Sequence, residues 1–211
     1  MILNDKKIIV IGSEGLIAKK IVDEILHEGG QPICLDLNVA TDKNENRYNF
    51  DITNFKKVKI NLEDIVSSYD KIDGFVNCSY PKTSDWGTQI ESVSNKSFIK
   101  NLDIQLVSFF NAIKVVTKHM KQFNEGSILS FSSIYGLLAN DFNLYKGTVI
   151  NPPVAYSAIK GGLISLNRYL ASFYGKYNIR FNCISPGGVY DKQDQKFVER
   201  YEEKVPLGRM A

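Results

Sequence analysis

The chain has 211 residues, 44% of them hydrophobic, which is enough for one domain with a sizeable buried core. Its 26 basic and 23 acidic side chains give a net charge of +3 and are interspersed without a long basic run, so nucleic acid is not an expected partner. No apolar run reaches the ~18 residues of a membrane span, and the N-terminus lacks the pattern of a signal peptide, so we expect a cytoplasmic protein with no membrane partner.

Strands and helices are predicted to alternate along the chain. Lys7–Ile11 is a β-branched run that stops at Gly12, as a buried parallel strand does. The same patterns predict helices at Leu16–Glu28, Asn54–Tyr69, Lys96–Met120 and Val154–Tyr174, and strands at Pro32–Leu37, Arg47–Phe50, Ile72–Asn77, Gly126–Phe131 and Ile179–Ile184. This order indicates an α/β fold, a doubly wound parallel sheet with helices on both faces.

The turn Gly12-Ser13-Glu14-Gly15-Leu16-Ile17-Ala18 joins the first strand to the first helix. Small residues there let backbone N–H groups and the helix N-terminus approach a pyrophosphate. Only two glycines are present, so an ordinary strand-to-helix turn is an equal alternative for this segment alone. Asp36 strengthens the nucleotide interpretation, because a carboxylate that ends the second strand can accept both ribose hydroxyls of an adenosine. It also repels a 2′-phosphate, which favours NAD over NADP; the alternative for Asp36 is a strand-end turn residue.

Tyr156 and Lys160 stand four residues apart on a predicted helix, so both side chains project from one face. A free phenol titrates near ~10, and a fixed positive charge close by is expected to lower that pKa. Such a pair is a device for proton transfer. By itself the spacing is common on helix surfaces, but here Ser132 and Ser133 follow the preceding strand and a Pro-Gly-Gly loop follows the next one.

Cysteines and histidines indicate neither disulfides nor a metal. Cys34, Cys78 and Cys183 are odd in number and lie in or beside apolar runs, so we expect reduced core residues. His27 and His119 lie on predicted helices without the spacing of metal ligands, so no bound metal is expected.

These motifs resemble the short-chain dehydrogenase/reductase family over essentially the whole chain. The strongest match is Tyr156-Ser-Ala-Ile-Lys160-Gly-Gly followed by Ile179-Arg-Phe-Asn-Cys-Ile-Ser-Pro-Gly-Gly188. The resemblance implies a single Rossmann-fold domain over residues 1–211 and an NAD-dependent oxidoreductase. It places the proton-transferring tyrosine on Tyr156, its lysine partner on Lys160, and the substrate-orienting serine on Ser133, within Ser132-Ser133-Ile-Tyr-Gly136.

The same resemblance implies the remaining site residues. Gln105 aligns with the family's proton-relay asparagine, one methylene longer, and Asp51 with the acid beside the adenine. The implied cofactor contacts are Gly12, Ser13, Glu14, Gly15, Leu16, Ile17, Asp36, Leu37, Asp51, Ile52, Asn77, Cys78, Ser79, Tyr156, Lys160, Pro186, Gly187 and Val189.

Two departures from the family concern the substrate. Asn77-Cys78-Ser79-Tyr80 stands where the family has Asn-Asn-Ala-Gly, so Tyr80 is expected to narrow the nicotinamide pocket. An insertion at about 140–151, with Asp141, Asn143, Tyr145 and Lys146, is expected over the substrate mouth and favours a polar substrate.

Asn77–Lys82 and Pro186–Asp191 also resemble oxidoreductases associated with flagellin modification and nonulosonic acid biosynthesis in bacteria. This branch implies a sugar or sugar-phosphate substrate. Two other classes stay open: a non-catalytic dinucleotide-binding scaffold, and an epimerase or dehydratase that retains NAD while acting on a nucleotide sugar. Tightly held cofactor without net NADH production would distinguish the latter.

The C-terminal segment Val205–Ala211 resembles the stretch that precedes a last helix and strand in the family. The fold is therefore expected to lack that strand and helix, which leaves the sixth strand at an exposed edge. We also expect a homodimer or homotetramer through the helices at Lys96–Met120 and Val154–Tyr174, with Phe109 and Tyr169 as outward apolar residues.

Overall fold

Six parallel strands form a single sheet in the computed structural model, which describes all of residues 1–211. The strands are β1 (Lys7–Ile11), β2 (Gln31–Asp36), β3 (Arg47–Asn49), β4 (Gly74–Asn77), β5 (Gly126–Phe131) and β6 (Ile179–Ile184). Their order is β3-β2-β1-β4-β5-β6, so the chain reverses its winding direction between β1 and β4. The loops that follow these two strands diverge there and leave a crevice at the carboxyl edge of the sheet.

Six α-helices connect and cover the strands: α1 (Leu16–His27), α2 (Val58–Ser67), α3 (Asn95–Leu102), α4 (Ser108–Phe123), α5 (Val154–Tyr174) and α6 (Gln195–Lys204). Successive side chains of β1 alternate between the two faces. Ile8 and Val10 pack with Ala18 and Ile25 of α1, whereas Ile9 and Ile11 join the main core with α2, α4 and α5. The predicted doubly wound sheet with helices on both faces is confirmed. None of the helices has the length and apolar composition of a membrane span.

The long helix predicted at Lys96–Met120 is interrupted. A π-helical turn, Asp103–Val107, joins α3 to α4 and places one extra residue in the helical path. The expected outward position of Phe109 is wrong, because this side chain is 0% exposed; its neighbour Phe110 is the exposed phenylalanine. The extra residue changes the helical phase, so a regular 3.6-residue pattern misassigns side chains near the turn.

The C-terminal region contains α6, which the sequence patterns did not predict. The Asp194 side chain accepts the Lys196 N–H at its N-terminus, and only Phe197, Val198 and Tyr201 are buried along it. The expected edge position of β6 is confirmed. All three cysteines are free, but each is half-buried, so their expected placement in the core is wrong.

Candidate active site

A cleft of about 560 Å³ lies at the carboxyl edge of the sheet, in the crevice between the loops after β1 and β4. Its lining includes the N-terminus of α1 and also Ser133, Tyr156 and Lys160. Predicted site residues that line it are Gly15, Leu16, Ile17, Cys78, Ser79, Ser133, Tyr156, Lys160, Pro186, Gly187 and Val189. Those outside the lining are Gly12, Ser13, Glu14, Asp36, Leu37, Asp51, Ile52, Asn77 and Gln105.

The glycine turn is packed against the loop after β4. Gly12 has φ +76°, and a Cβ atom there would lie 2.9 Å from the backbone nitrogen of Ser79. The Gly12 N–H donates to the carbonyl oxygen of Leu35 at 2.8 Å, which ties the turn to β2. Only glycine accommodates both the positive φ angle and the close approach of Ser79 at position 12.

Asp36 ends β2 and its carboxylate holds the glycine turn. Its Oδ2 accepts the Glu14 N–H at 3.1 Å and its Oδ1 accepts the Asn38 N–H at 2.9 Å. Glu14 forms ion pairs with Arg47 at 3.1 Å and with Lys19 at 3.2 Å. Two carboxylates therefore stand at the turn, and one of them, Glu14, already pairs with Arg47 and Lys19.

Polar residues beside the turn organise the neighbouring loops. The Asp51 carboxylate accepts the N–H and hydroxyl of Thr53, and the adjacent Ile52 is buried. The Asn77 side-chain oxygen accepts the N–H of Ser79 at 3.2 Å and its hydroxyl at 2.7 Å, which shapes the loop after β4. Leu37 is exposed beside Asp36 and presents an apolar surface there.

Ser133 and Tyr156 are neighbours in the lining of the cleft. Burial raises the pKa of Tyr156 above its ordinary value, and the neighbouring Ser133 hydroxyl partly opposes that rise. Ser133 is buried and its side-chain oxygen accepts the Tyr135 N–H at 3.2 Å. The two hydroxyls are thus held next to each other on separate elements, one after β5 and one on α5.

Lys160 is buried behind Tyr156. Its Nζ donates to the carbonyl oxygen of Phe131 at 2.8 Å and lies 5.5 Å from the centroid of the Tyr156 ring. Burial lowers the pKa of Lys160 to about 8, with Cys183 and Cys78 weakly opposing that shift. The expected lowering of the Tyr156 pKa by Lys160 is wrong for this arrangement, because desolvation of the phenol prevails.

Ser132 and Gly136 are site residues whose roles the sequence reasoning did not assign. The Ser132 hydroxyl donates to the Lys160 carbonyl oxygen at 2.7 Å. A Cβ atom at Gly136 would lie 2.7 Å from the Lys160 carbonyl carbon. The turn that carries Ser133 therefore packs directly on the α5 backbone, and the Ser-Ser-x-x-Gly pattern was the signal for it.

Gln105 lies in the π-helical turn. It is buried, its Nε2 has no hydrogen-bond partner in the protein, and the turn packs on α5, where Leu106 approaches Gly162. The Ser108 hydroxyl donates to the carbonyl oxygen of Ile104 at 2.6 Å and to that of Gln105 at 3.2 Å. The helix predicted as continuous is therefore irregular at this position, and the Ser108 hydroxyl supplies a hydrogen-bond donor to carbonyl oxygens of the turn.

The insertion and α6 cover the mouth of the cleft. Leu144 of the insertion packs with Phe197, Tyr201 and Met210 in a small separate core. The Tyr201 hydroxyl accepts the Gly188 N–H at 2.6 Å, which fixes the Pro-Gly-Gly loop beneath α6. Burial, together with the Tyr135 hydroxyl, raises the pKa of Tyr145, another residue that lines the cleft. The predicted position of the insertion over the mouth agrees with this arrangement.

Known proteins are similar to this chain in sequence and in fold. Residues 14–211 match a family model described as enoyl-(acyl carrier protein) reductase. Post-translational flagellin modification protein A of Campylobacter coli is 32% identical over 95% of this chain and 84% of that protein. A probable galactose dehydrogenase of Rhizobium meliloti is 25% identical over 99% of this chain and 83% of that protein. A short-chain dehydrogenase from Leptospira borgpetersenii, solved with bound NAD+, has a TM-score of 0.87 and 31% identity, over 99% of this chain and 81% of that chain.

Proposed function

The chain belongs to the short-chain dehydrogenase/reductase family, and on this basis we propose that it transfers a hydride between NAD and a hydroxyl or carbonyl group of a sugar or sugar phosphate. The observation that carries the proposal is that Ser133, Tyr156 and Lys160 line the same cleft as Gly15 and Leu16 at the N-terminus of α1. A proton-transfer group and a dinucleotide-binding turn are thereby joined by one continuous space.

The residues present fit a nicotinamide dinucleotide. Gly15 and Leu16 open α1 at the cleft, where N–H groups and the helix dipole favour a pyrophosphate. Asp36 stands at the end of β2 with an accessible neighbour, Leu37, suited to the adenosine half. Pro186, Gly187 and Val189 line the same cleft near its catalytic end. When bound, the dinucleotide supplies the hydride donor or acceptor.

The chain's own residues handle the proton and the substrate oxygen. Tyr156 donates a proton to that oxygen in reduction and withdraws it in oxidation. Ser133, whose hydroxyl adjoins that of Tyr156, orients the oxygen by hydrogen bonding. Lys160, with a pKa of about 8, sits behind the phenol and supplies positive charge at neutral pH. We also assign Gln105, whose buried Nε2 has no hydrogen-bond partner in the protein, as a positioning residue for this set.

A carbohydrate substrate is supported by two relatives and by the lining of the cleft. The Campylobacter coli relative is named for flagellin modification and the Rhizobium meliloti relative as a probable galactose dehydrogenase. Hydroxyl and amide groups of Ser133, Tyr145, Asn140 and Gln193 line the cleft. A surface-glycan precursor, such as an intermediate of nonulosonic acid synthesis, fits this set of donors and acceptors.

A homodimer through α4 and α5 completes the proposal. Phe110 of α4 and Tyr169 and Phe173 of α5 are exposed apolar residues, and the rings of Tyr169 and Phe173 stack at 6.3 Å. Val107, at the end of the π-helical turn before α4, is exposed as well. Burial of such side chains against a second copy is favourable. Size-exclusion chromatography with light scattering tests this assignment: a dimer is expected for the wild-type chain and a monomer for Phe110→Glu.

The oxidoreductase is tested by NADH formation with free, phosphorylated and nucleotide-linked hexoses. Tyr156→Phe is expected to lower turnover ~100-fold or more and to leave NADH affinity nearly unchanged, because only the proton-transfer step is lost. Tyr169→Phe, which removes an exposed hydroxyl from the same helix, is the matched control. Equal turnover by Tyr156→Phe and the wild type would exclude the assigned mechanism.

A further inference from the structure

Three aromatic rings meet at the catalytic end of the cleft. The Tyr80 and Trp86 centroids are 5.8 Å apart, those of Tyr80 and Tyr156 6.1 Å, and those of Trp86 and Tyr156 6.4 Å. The planes cross at 85°, 86° and 74°, so each ring stands edge-on to the other two. Lys160 Nζ lies 5.6 Å from the Tyr80 centroid. Tyr80 and Trp86 thus form an aromatic wall directly beside the Tyr156 phenol.

The wall is held in one orientation. Trp86 Nε1–H donates to the Tyr80 hydroxyl oxygen at 3.0 Å, which leaves the phenolic hydrogen of Tyr80 free to donate outward. Tyr80 itself is 45% exposed and lines the cleft, whereas Trp86 packs behind it against the main core.

The loop that carries both rings is anchored at its base. The buried Asn101 of α3 accepts the Thr83 N–H at 3.2 Å and donates to the Thr83 hydroxyl at 2.8 Å. Ser97 donates to the Asp85 carboxylate at 2.8 Å. Such anchors remove the entropy cost of ordering the wall when a ligand binds, and pre-organisation of this kind raises affinity.

We propose that Tyr80 is a substrate-contact residue that packs on the C–H face of a cyclic sugar bound at Tyr156, and that Trp86 positions it. A pyranose ring has an apolar face of axial C–H groups, whereas its hydroxyls point outward around the rim. An aromatic face beside a hydrogen-bonding phenol complements that shape, and a flexible open-chain polyol offers no such face. This inference rests on the proposed oxidoreductase function and specifies the form of its substrate.

Initial-rate kinetics with two substrate classes test the assignment. Locked methyl hexopyranosides, hexose phosphates and nucleotide-linked hexoses form the cyclic class, and the matching alditols form the open-chain class, all at saturating NAD. Tyr80→Ala is expected to raise KM about tenfold for the cyclic class and to change it little for alditols. Tyr80→Phe keeps the ring and is expected to raise KM for the cyclic class less than Tyr80→Ala does. Trp86→Phe is expected to raise it by an intermediate factor. Phe123→Ala removes an exposed ring from the end of α4 and serves as the control.

A second readout does not depend on turnover. Trp86 is the single tryptophan of the chain, so its emission reports on the wall alone. Methyl hexopyranosides added to the NADH complex are expected to change this emission in the wild type and not in Tyr80→Ala.

Each outcome bears on one proposal. Equal KM changes for both substrate classes in Tyr80→Ala, or no change for either, would overturn the role of Tyr80 while leaving the oxidoreductase intact. Absence of wild-type turnover with every member of both classes contradicts the proposed function and removes this inference with it. Unchanged NADH affinity in Tyr80→Ala is required throughout, since a loss there would make Tyr80 a cofactor contact instead.

Discussion

The Ser132 hydroxyl donates to the backbone carbonyl oxygen of Lys160 across 2.7 Å, and both residues are buried. This bond ties the turn after β5 to the middle of α5. Ser133 is the next residue on the turn, and Tyr156 lies one helical turn before Lys160. The relative position of the two hydroxyls proposed to handle the substrate oxygen is therefore fixed by a buried hydrogen bond between the turn and the α5 backbone.

Gly136 is expected to be required for that contact. A Cβ atom at this position would lie 2.7 Å from both the Lys160 carbonyl carbon and the Ser132 hydroxyl. Gly136→Ala should lower the free energy of unfolding by about 1–3 kcal/mol, as overpacking does, and should reduce turnover by separating Ser133 from Tyr156. Urea denaturation and initial rates measure the two effects. Gly175→Ala is the control, since nothing lies within 4 Å of an added Cβ there.

Nucleotide preference should depend on the two carboxylates beside the glycine turn. Asp36→Ala removes one of them, and Glu14→Gln releases Arg47 and Lys19 from their ion pairs. The double variant is expected to bind NADPH about tenfold more tightly than the wild type, because repulsion of the 2′-phosphate is relieved. Nicotinamide fluorescence titrations give both affinities. Asp42→Asn removes an exposed carboxylate nearby; an equal gain in that variant would mean that net charge alone sets the preference.

The sequence predicted those features that depend on local patterns. Lys7–Ile11 is buried on both faces, and its β-branched run and the glycine that follows it identify β1 without tertiary information. Tyr156 and Lys160 were found because a four-residue spacing on a helix already determines that their side chains share a face. The same holds for Asp36, which stands at the end of a clear strand.

Features that depend on tertiary contacts were missed. Helix α6 buries only three side chains, and its stability comes from the small core that it shares with the insertion. The exposure of Phe109 was misjudged because the π-helical turn before it changes the helical phase. The pKa of Tyr156 was expected to fall, because the four-residue spacing reveals the neighbouring Lys160. The spacing does not reveal that the Tyr156 phenol is buried, and this burial raises its pKa.

The buried ammonium of Lys160 should make stability rise with pH. Its pKa is about 8 in the folded chain and higher when unfolded, so above pH 8 the unfolded chain binds more protons. The free energy of unfolding of the wild type, relative to Lys160→Met, is expected to increase by about 2 kcal/mol between roughly pH 7.5 and 9.5. Cysteines and tyrosines also titrate in this pH range, but they contribute equally to both proteins. Their contributions therefore cancel when the two free energies of unfolding are subtracted.

Urea denaturation across this pH range measures the effect. Lys118→Met, at an exposed position of α4, is the control and should give a constant offset from the wild type. A constant offset for Lys160→Met as well would show that Lys160 stays charged to higher pH than its burial predicts.

Gln105 and Ser108 should separate function from stability within one irregular turn. Gln105→Leu removes a buried amide whose Nε2 has no protein partner, so stability should not fall. Turnover should drop about tenfold, because Gln105 is proposed to position the proton-transfer groups. Ser108→Ala removes the one hydroxyl hydrogen that the Ile104 and Gln105 carbonyl oxygens share and should cost ~1 kcal/mol. Ser67→Ala, which loses an exposed bond to Asp64, is the control. Unchanged turnover in Gln105→Leu would remove Gln105 from the active site.

Tyr201 of α6 should affect cofactor binding, because it holds the loop Pro186–Val189 that lines the cleft. Its hydroxyl accepts the Gly188 N–H, and its ring fills space that exists because Gly187 and Gly188 have no Cβ atoms. Tyr201→Phe keeps the ring but leaves that N–H unpaired, at an expected cost of about 1–3 kcal/mol. Because Pro186–Val189 line the cleft, the released loop should also raise the dissociation constant of NADH. Tyr190→Phe, at an exposed position of the same loop, is the control; if both variants bind NADH like the wild type, α6 covers the site without shaping it.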